Sequence, residues 1–504
     1  MEPFYALLGV FALLMLISLL SSKLSGIINM PCLLLFLAVG LVAGGILYNQ
    51  QQIEISDAVT ANYIGSVAMA FILFSGGFDT SFQAVKPVFF TGGVLSSLGV
   101  LLTALFTGGF AWFLNIFLFP DKAISLSGCL LLGAIISSTD AAAVFSILRS
   151  RSVSLKNRLQ PLLEFESGSN DPMAALLTLF LLEIVLRENR TGTAVPWQEY
   201  FMIFPYFLWK MSIGLVVGYL LGRGAVWLYN KIDFDYNGLY YALGIVMVLL
   251  TYATAESVTG NGFMAVYTAG TVMGSRRFVF HNGLGRFYDG LAWIMQVILF
   301  TMLGVLAEPM QVWNAKWMGL AVALFLMFAA RPLAVAVCMW RSSFAIRERI
   351  LTGWVGLRGG APIMLATFPL MKAAEFPEAE LLFHIVFFIV LTSVLVQGMT
   401  IMPLAKLLNL AGSLRKMLRV PLSFEETGDS NSAFCELPVP KNRIGLSLKE
   451  LQLPQGALVL LIRRADRFVV PRGDTTLEVD DVLTLMGTPD AIRQSQEQLS
   501  ADGI

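Results

Sequence analysis

From its start to about residue 408 the chain alternates between long apolar runs and short polar breaks. A helix needs about 20 mostly apolar residues to cross the hydrocarbon core of a bilayer. Runs of suitable length fall at 4–21, 31–48, 58–75, 88–118, 123–148, 160–186, 201–229, 237–255, 260–274, 288–306, 316–340, 350–371 and 380–408, the ninth being short. The pattern predicts thirteen transmembrane helices. The first run has no basic residue ahead of it and no small-x-small cleavage site, so it reads as a span and not as a signal peptide. After about residue 420 the period changes. Phe424–Ser432 is polar and acidic, a linker. Ala433–Pro438 starts like a strand, Leu446–Leu451 carries a short helical pattern, and Gly456–Pro471 reads as a hairpin turning at Ala465-Asp466. Val479–Gly487 reads as a further strand and Asp490–Leu499 as a terminal helix. The expected fold class is an all-α polytopic membrane protein with a small C-terminal α/β cytoplasmic domain. Its divisions are 1–410 for the membrane domain, 411–432 for the linker and 433–504 for the module.

Composition agrees. The chain is 56% hydrophobic and 13% charged, against about 25% charged in soluble proteins. Its partner is therefore a lipid bilayer, and nothing points to nucleic acid. The formal net charge is zero, so placement matters more than the sum. Alternate loops carry eighteen Lys and Arg on one side, and six (Lys122, Arg187, Arg190, Lys210, Lys316, Lys372) on the other. Basic residues favour cytoplasmic loops, which puts the N-terminus outside and the C-terminus in the cytoplasm. Cys32, Cys129, Cys338 and Cys435 lack metal or disulfide spacing. No metal or other cofactor is expected.

The informative positions are polar residues inside apolar runs. An ionised carboxylate in hydrocarbon costs several kcal/mol unless paired, hydrated or neutralised. The fifth run is interrupted by Ser137-Ser138-Thr139-Asp140. A helix break there exposes carbonyls from one half and N–H groups from the other. Asp140 can neutralise the second half's N-terminus at a transport site, or simply cap a short helix. The twelfth run is interrupted at Gly356–Pro362, which also holds Arg358. Arg358 either places positive charge where the two breaks cross or anchors the helix at the interface. If the seventh span is a connector, both breaks fall in the fifth span of two inverted six-helix repeats, with helices 5 and 12 discontinuous. Such pairs point to a transport site. In the sixth run Glu166 and Asn170, and Ser167 and Asp171, are i, i+4 pairs that form one polar stripe. Their carboxylate, amide and hydroxyl oxygens suit a hard cation. A carboxylate that holds either a cation or a proton is in principle a complete exchanger. Arg331, deep in the eleventh run, is the expected partner of Glu166 in a structural ion pair, while Glu164 reads as solvated.

These motifs closely resemble the monovalent cation:proton antiporter family, the NhaP-like and animal sodium/proton exchangers. The match rests on Thr139-Asp140, Glu166-Ser167, Asn170-Asp171, Arg331 and Gly356–Gly360, within a likeness covering about residues 5–410. The resemblance implies that Asp171 carries cation and proton alternately, that Asn170 marks electroneutral exchange, and that Thr139, Ser167 and Glu166 assist. It also implies a homodimer whose core moves against a dimerisation domain. Ser75 departs from the pattern, since many relatives carry a carboxylate there. The C-terminal module resembles the TrkA-C regulatory domain through Leu448–Pro454, Arg463–Arg467, Val470–Gly473 and Asp480–Leu483, which makes a nucleotide a candidate ligand. The combination is similar to bacterial potassium/proton antiporters of the inner membrane. It implies that cytoplasmic potassium, or sodium, leaves as protons enter. Relatives of that branch carry a further cytoplasmic domain, so a shortened chain is expected. Two other readings are an intramembrane aspartyl protease using Asp140 and Asp171, and a gated cation channel. The protease leaves Asn170, Glu166, Arg331 and the paired breaks without a task.

Overall fold

The computed structural model describes residues 2–28, 31–49, 58–80, 82–118, 124–150, 153–156, 158–413, 433–464, 467–479 and 481–500. The chain divides into two compact units, Met1–Arg415 and Lys416–Ile504. The first begins with α1 (Glu2–Ile28), α2 (Cys32–Asn49) and α3 (Ala58–Asp79). A continuous helical stretch follows: α4 (Phe82–Val85), α5 (Phe89–Val94), a π-helical turn at Leu95–Gly99 and α6 (Val100–Leu118). Next come α7 (Leu126–Ile135), α8 (Ala141–Ser150), β1 (Val153–Leu155), α9 (Leu159–Thr191) and α10 (Trp197–Tyr200). α11 (Ile203–Lys231), α12 (Gly238–Ser257), α13 (Gly262–Gly274), α14 (His281–Leu306) and α15 (Pro309–Asn314) continue the chain. α16 (Lys316–Phe325), α17 (Arg331–Cys338), α18 (Ile346–Trp354), α19 (Gly360–Leu370) and α20 (Ala379–Leu407) complete the helices of this unit, and β2 (Ala411–Ser413) closes it.

Among the described residues, eight helical stretches are long and apolar enough to cross a membrane, and four shorter apolar helices accompany them. Two of the short ones, Leu126–Ile135 and Gly360–Leu370, belong to the predicted breaks. The second break is tighter than the sequence suggests. It covers Val355–Gly359, and Pro362 lies within the first turn of α19, where its missing N–H costs no helical bond. α13 has 13 residues, about 20 Å at 1.5 Å per residue. Asn261 caps it by accepting from the Met264 N–H at 2.8 Å.

The helices pack as two groups. α2, α3, α13 and α14 form one, with α11 against α13. Small residues bring their backbones together: a Cβ added to Gly304 of α14 would stand 2.9 Å from the Gly40 Cα of α2. The other group holds α6, α7, α9, α16, α19 and α20. α3, α13 and α14 of the first group touch α9 and α19 of the second.

β1 and β2 pair antiparallel, Val153 opposite Ser413 and Leu155 opposite Ala411. The predicted linker 411–432 is thus corrected at its start, because residues 411–413 supply the hydrogen-bond partners that β1 needs. Residues 414–432 lie outside the described residues.

The second unit contains β3 (Ala433–Pro438), β4 (Ala457–Arg464), β5 (Arg467–Val469) and β6 (Val482–Gly487), followed by α21 (Pro489–Ser500). The sheet order is β3-β6-β4-β5, antiparallel throughout. Leu451, Ile462, Leu477, Leu483, Leu485 and Ile492 are buried as its core. β4 and β5 form the predicted hairpin, with Arg464 opposite Arg467; its turn residues Ala465 and Asp466 lie outside the described residues. The helical pattern at Leu446–Leu451 is corrected to turns. Ser447 bridges to Thr476, and the Glu450 carboxylate accepts from the Ser447 N–H (2.7 Å) and hydroxyl (2.8 Å), which closes a single turn. These two bonds hold the Glu450 carboxyl below its ordinary pKa. Asp481 is fully buried and is gripped by Arg464 through Nε at 3.0 Å and Nη2 at 2.9 Å. The hydrogen bonds to Asp481 raise the Arg464 pKa above its ordinary value.

Candidate functional site

Both breaks lie in the interior of the first unit, and they cross. The Asp140 N–H donates to Leu357 O at 2.8 Å. Arg358, 1% exposed, donates from Nη1 to Ser137 O and Ser138 O, each at 2.6 Å. These carbonyls follow the end of α7, where backbone oxygens lack helical donors and carry partial negative charge. Arg358 is therefore the crossing charge and not an interfacial anchor. Asp140 accepts the Ala143 N–H at 2.9 Å, capping α8. A Cβ on Gly359 would overlap the Asp140 carboxylate, so this crossing requires glycine. α20 holds the second break from behind. Ser393 Oγ accepts the Arg358 N–H at 3.0 Å and donates to Gln397, which donates to Trp354 O at 2.8 Å. The sequence reading missed Ser393 and Gln397, although two polar residues at i, i+4 inside an apolar run are a visible signal.

The polar stripe of α9 closes on the first break. The Ser167 hydroxyl donates to Thr139 O at 2.8 Å and accepts the Ala141 N–H at 3.0 Å. Asn170 Nδ2 donates to Thr139 Oγ1 at 2.5 Å. Its Oδ1 is buried with no hydrogen-bond partner. Asp171 Oδ1 accepts from the Ser138 hydroxyl. Pro172 follows and lacks the N–H that would bond Gly168 O, which deprives that carbonyl of its usual helical donor beside Asp171.

Glu166 and Arg331 form the anticipated ion pair at 2.5 Å, with side chains 1% and 3% exposed. Arg331 directly follows a π-helical turn at Leu326–Ala330. Pro332 explains that turn, since it cannot donate to Phe328 O and the helix widens to accommodate it.

A cavity of about 860 Å³ is lined by Asp140, Ser167, Gly168 and Asp171, with Cys32, Ser75 and Tyr267 in its wall. It reaches Lys23, Asp79 and Asp289, all exposed. Glu164 also lines it. Thr139 and Asn170 are not among its lining residues; they brace the break behind Ser167 and Asp171. Asp171 borders a second void as well, of about 10 Å³, lined by Met69, Ala175, Phe263, Ala361, Met364 and Leu365.

Two broken helices crossing over a buried ion pair and a cavity carboxylate define a secondary-transporter architecture. The transmembrane profile of the sodium/hydrogen exchanger family matches residues 9–407, and the TrkA-C domain profile matches residues 435–500. The chain belongs to the sodium/hydrogen exchanger family. It is 38% identical over 416 residues to the K(+)/H(+) antiporter NhaP of Alkalimonas amylolytica, covering 81% of this chain and 68% of the relative. It is 35% identical over 490 residues to the K(+)/H(+) antiporter NhaP2 of Shewanella oneidensis, covering 94% of this chain and 80% of the relative. The fold is shared with the sodium proton antiporter MjNhaP1 of Methanocaldococcus jannaschii at TM-score 0.64 and 24% identity, over 79% of this chain and all of that one.

Proposed function

We propose that the protein is a secondary antiporter that exchanges cytoplasmic potassium for external protons, one for one, with Asp171 as the shared carrier. One observation carries this reading: Asp171 lines the open cavity, takes a hydrogen bond from the first break, and also borders the void beyond it. Ser167 and the Gly168 carbonyl supply neutral oxygens beside it, Asp140 stands in the same wall, and Thr139 and Asn170 hold the break in shape. Glu166–Arg331 is a structural pair. Potassium is favoured by the names of the relatives and by the neutral Ser75 in the cavity wall. Sodium is the alternative cation.

On this reading the protein acts as a transporter and not an enzyme. A carboxylate dyad would join Asp140 to Asp171, whereas Asp140 caps α8 and Asp171 bonds Ser138. A channel would need a continuous path, but the path narrows to the small void past Asp171. The proposed setting is a bacterial inner membrane, N-terminus outside and C-terminus cytoplasmic, as a homodimer of thirteen-span chains with inverted repeats. The TrkA-C-like unit serves as a regulatory domain with a nucleotide as candidate ligand.

The test is potassium-driven proton movement in proteoliposomes, with and without a clamped membrane potential. Asp171→Asn is expected to abolish exchange while the protein remains folded. Exchange at the wild-type rate in that variant removes Asp171 as carrier, and a response to sodium alone removes potassium.

A further inference from the structure

The two cavities meet Asp171 from opposite sides. The larger reaches the exposed Lys23, Asp79 and Asp289. The smaller is enclosed by Met69 of α3, Phe263 of α13, and Met364 and Leu365 of α19, each 6% exposed or less. Its volume of about 10 Å³ holds at most a single water. Among the described residues, side-chain hydrogen bonds on this closed side cross between the helix groups. Asn62 of α3 donates from Nδ2 to Thr367 Oγ1 of α19 at 2.8 Å, both side chains buried. Asn261, ahead of α13, donates from Nδ2 to Pro172 O of α9 at 3.4 Å.

We propose that Met69, Phe263 and Met364 form the seal on the far side of Asp171, and that the Asn62–Thr367 bond is the latch that parts when that side opens. The inference rests on the antiporter reading, which needs Asp171 to face each side in turn. A purely apolar interface would exclude water without a preferred register. A single amide–hydroxyl pair gives it one, because sliding α19 along α3 leaves the buried Asn62 amide unsatisfied, while the Thr367 hydroxyl keeps its bond to Met364 O at 2.6 Å. Once the gap is wet, water satisfies the Asn62 amide, so the latch biases the closed arrangement without locking it. The sequence alone does not reveal this pair: the partners are 305 residues apart, in separate apolar runs.

The test uses single-cysteine versions of the full chain in proteoliposomes, treated with a membrane-impermeant methanethiosulfonate from either side. One keeps the native Cys32, in the wall of the open cavity; the other carries Met69→Cys alone. Cys32 is expected to react from one side, and Met69→Cys slowly from the other. Adding Thr367→Val is expected to raise far-side labelling of Met69→Cys about tenfold and to lower Cys32 labelling, since it leaves the Asn62 amide unpaired when the seal is shut. Thr367→Ser, which keeps the acceptor, is expected to restore both. Asn62→Ala, which deletes the donor, is read alongside in case Thr367→Val fails to fold, and is expected to shift labelling about fivefold. Unchanged labelling in both latch variants overturns the proposal, as does entry of the reagent to Met69→Cys from the Cys32 side. Wild-type exchange in the same vesicles separates the two ideas. Exchange with unmoved labelling removes the latch alone. Shifted labelling without exchange supports the latch and removes the antiporter reading.

Discussion

Removing one member of the Glu166–Arg331 pair should harm the protein more than removing both. The two side chains are 1% and 3% exposed and 2.5 Å apart. Arg331 Nε has no partner, so the bond to Glu166 is the main compensation for a buried cation. A Cβ on Gly356 would come within 2.9 Å of that Nε, so the guanidinium has little room to find another partner. Arg331→Met leaves a buried carboxylate, and Glu166→Leu leaves a buried guanidinium. Each is expected to cost about 3–5 kcal/mol, whereas apolar replacement of a whole buried pair is often neutral or stabilising. The double variant is therefore expected to recover most of the loss, giving a coupling of about 3 kcal/mol or more. The assay is a double-mutant cycle of unfolding in detergent, followed by tryptophan fluorescence. Single losses that simply add in the double variant would show that the charges do not compensate each other, and the reasoning would fail.

Gly359→Ala is expected to push the Asp140 carboxylate off the start of α8; overpacking of this kind costs about 1–3 kcal/mol, and exchange should fall steeply while the protein still inserts. Wild-type exchange in that variant would show that the crossing tolerates displacement. In the second unit, Arg464→Met leaves the fully buried Asp481 without its cation. The expected loss is about 3 kcal/mol, read as faster proteolysis within residues 433–500 of the full chain, and protection equal to the wild type would count against the pair.

The breaks were legible because each disturbs the apolar pattern in a way a continuous helix would not tolerate: four polar residues in a row at Ser137–Asp140, and glycines clustered around Arg358. The Glu166–Arg331 contact was legible from depth alone, since neither group can reach water and each is the other's cheapest partner. Spacing placed Asn170 and Asp171 on adjoining faces of α9, but it could not say that Asn170 would turn to Thr139 while Asp171 met the cavity; that depends on where α7 and α8 cross. Likewise, the choice between two roles for Arg358 needed the Ser137 and Ser138 carbonyls, more than 200 residues away. The Leu446–Leu451 pattern misled because a helical period does not force a helix when Ser447 pairs with Thr476 and Glu450 closes the turn.

The balance of charge around the site bears on stoichiometry. Glu166 and Arg331 neutralise each other. Asp140 faces the amide end of α8, and Arg358 faces the carbonyls beyond α7, so each answers a helix end of opposite sign and the two formal charges sum to zero. Of the carboxylates at the crossing, Asp171 is then the one left over, held by the Ser138 hydroxyl; Glu164 lines the same cavity two turns earlier on α9. A site with one unbalanced negative charge becomes neutral with either one monovalent cation or one proton. The two loaded forms thus carry the same net charge across the membrane, and the membrane potential does no work on either. On the antiporter reading, one-for-one electroneutral exchange follows from these four partnerships, and clamping the potential should leave the rate unchanged. A rate that tracks the imposed potential would mean that a further group at the cavity, Asp140, Arg358 or Glu164, changes its charge during the cycle.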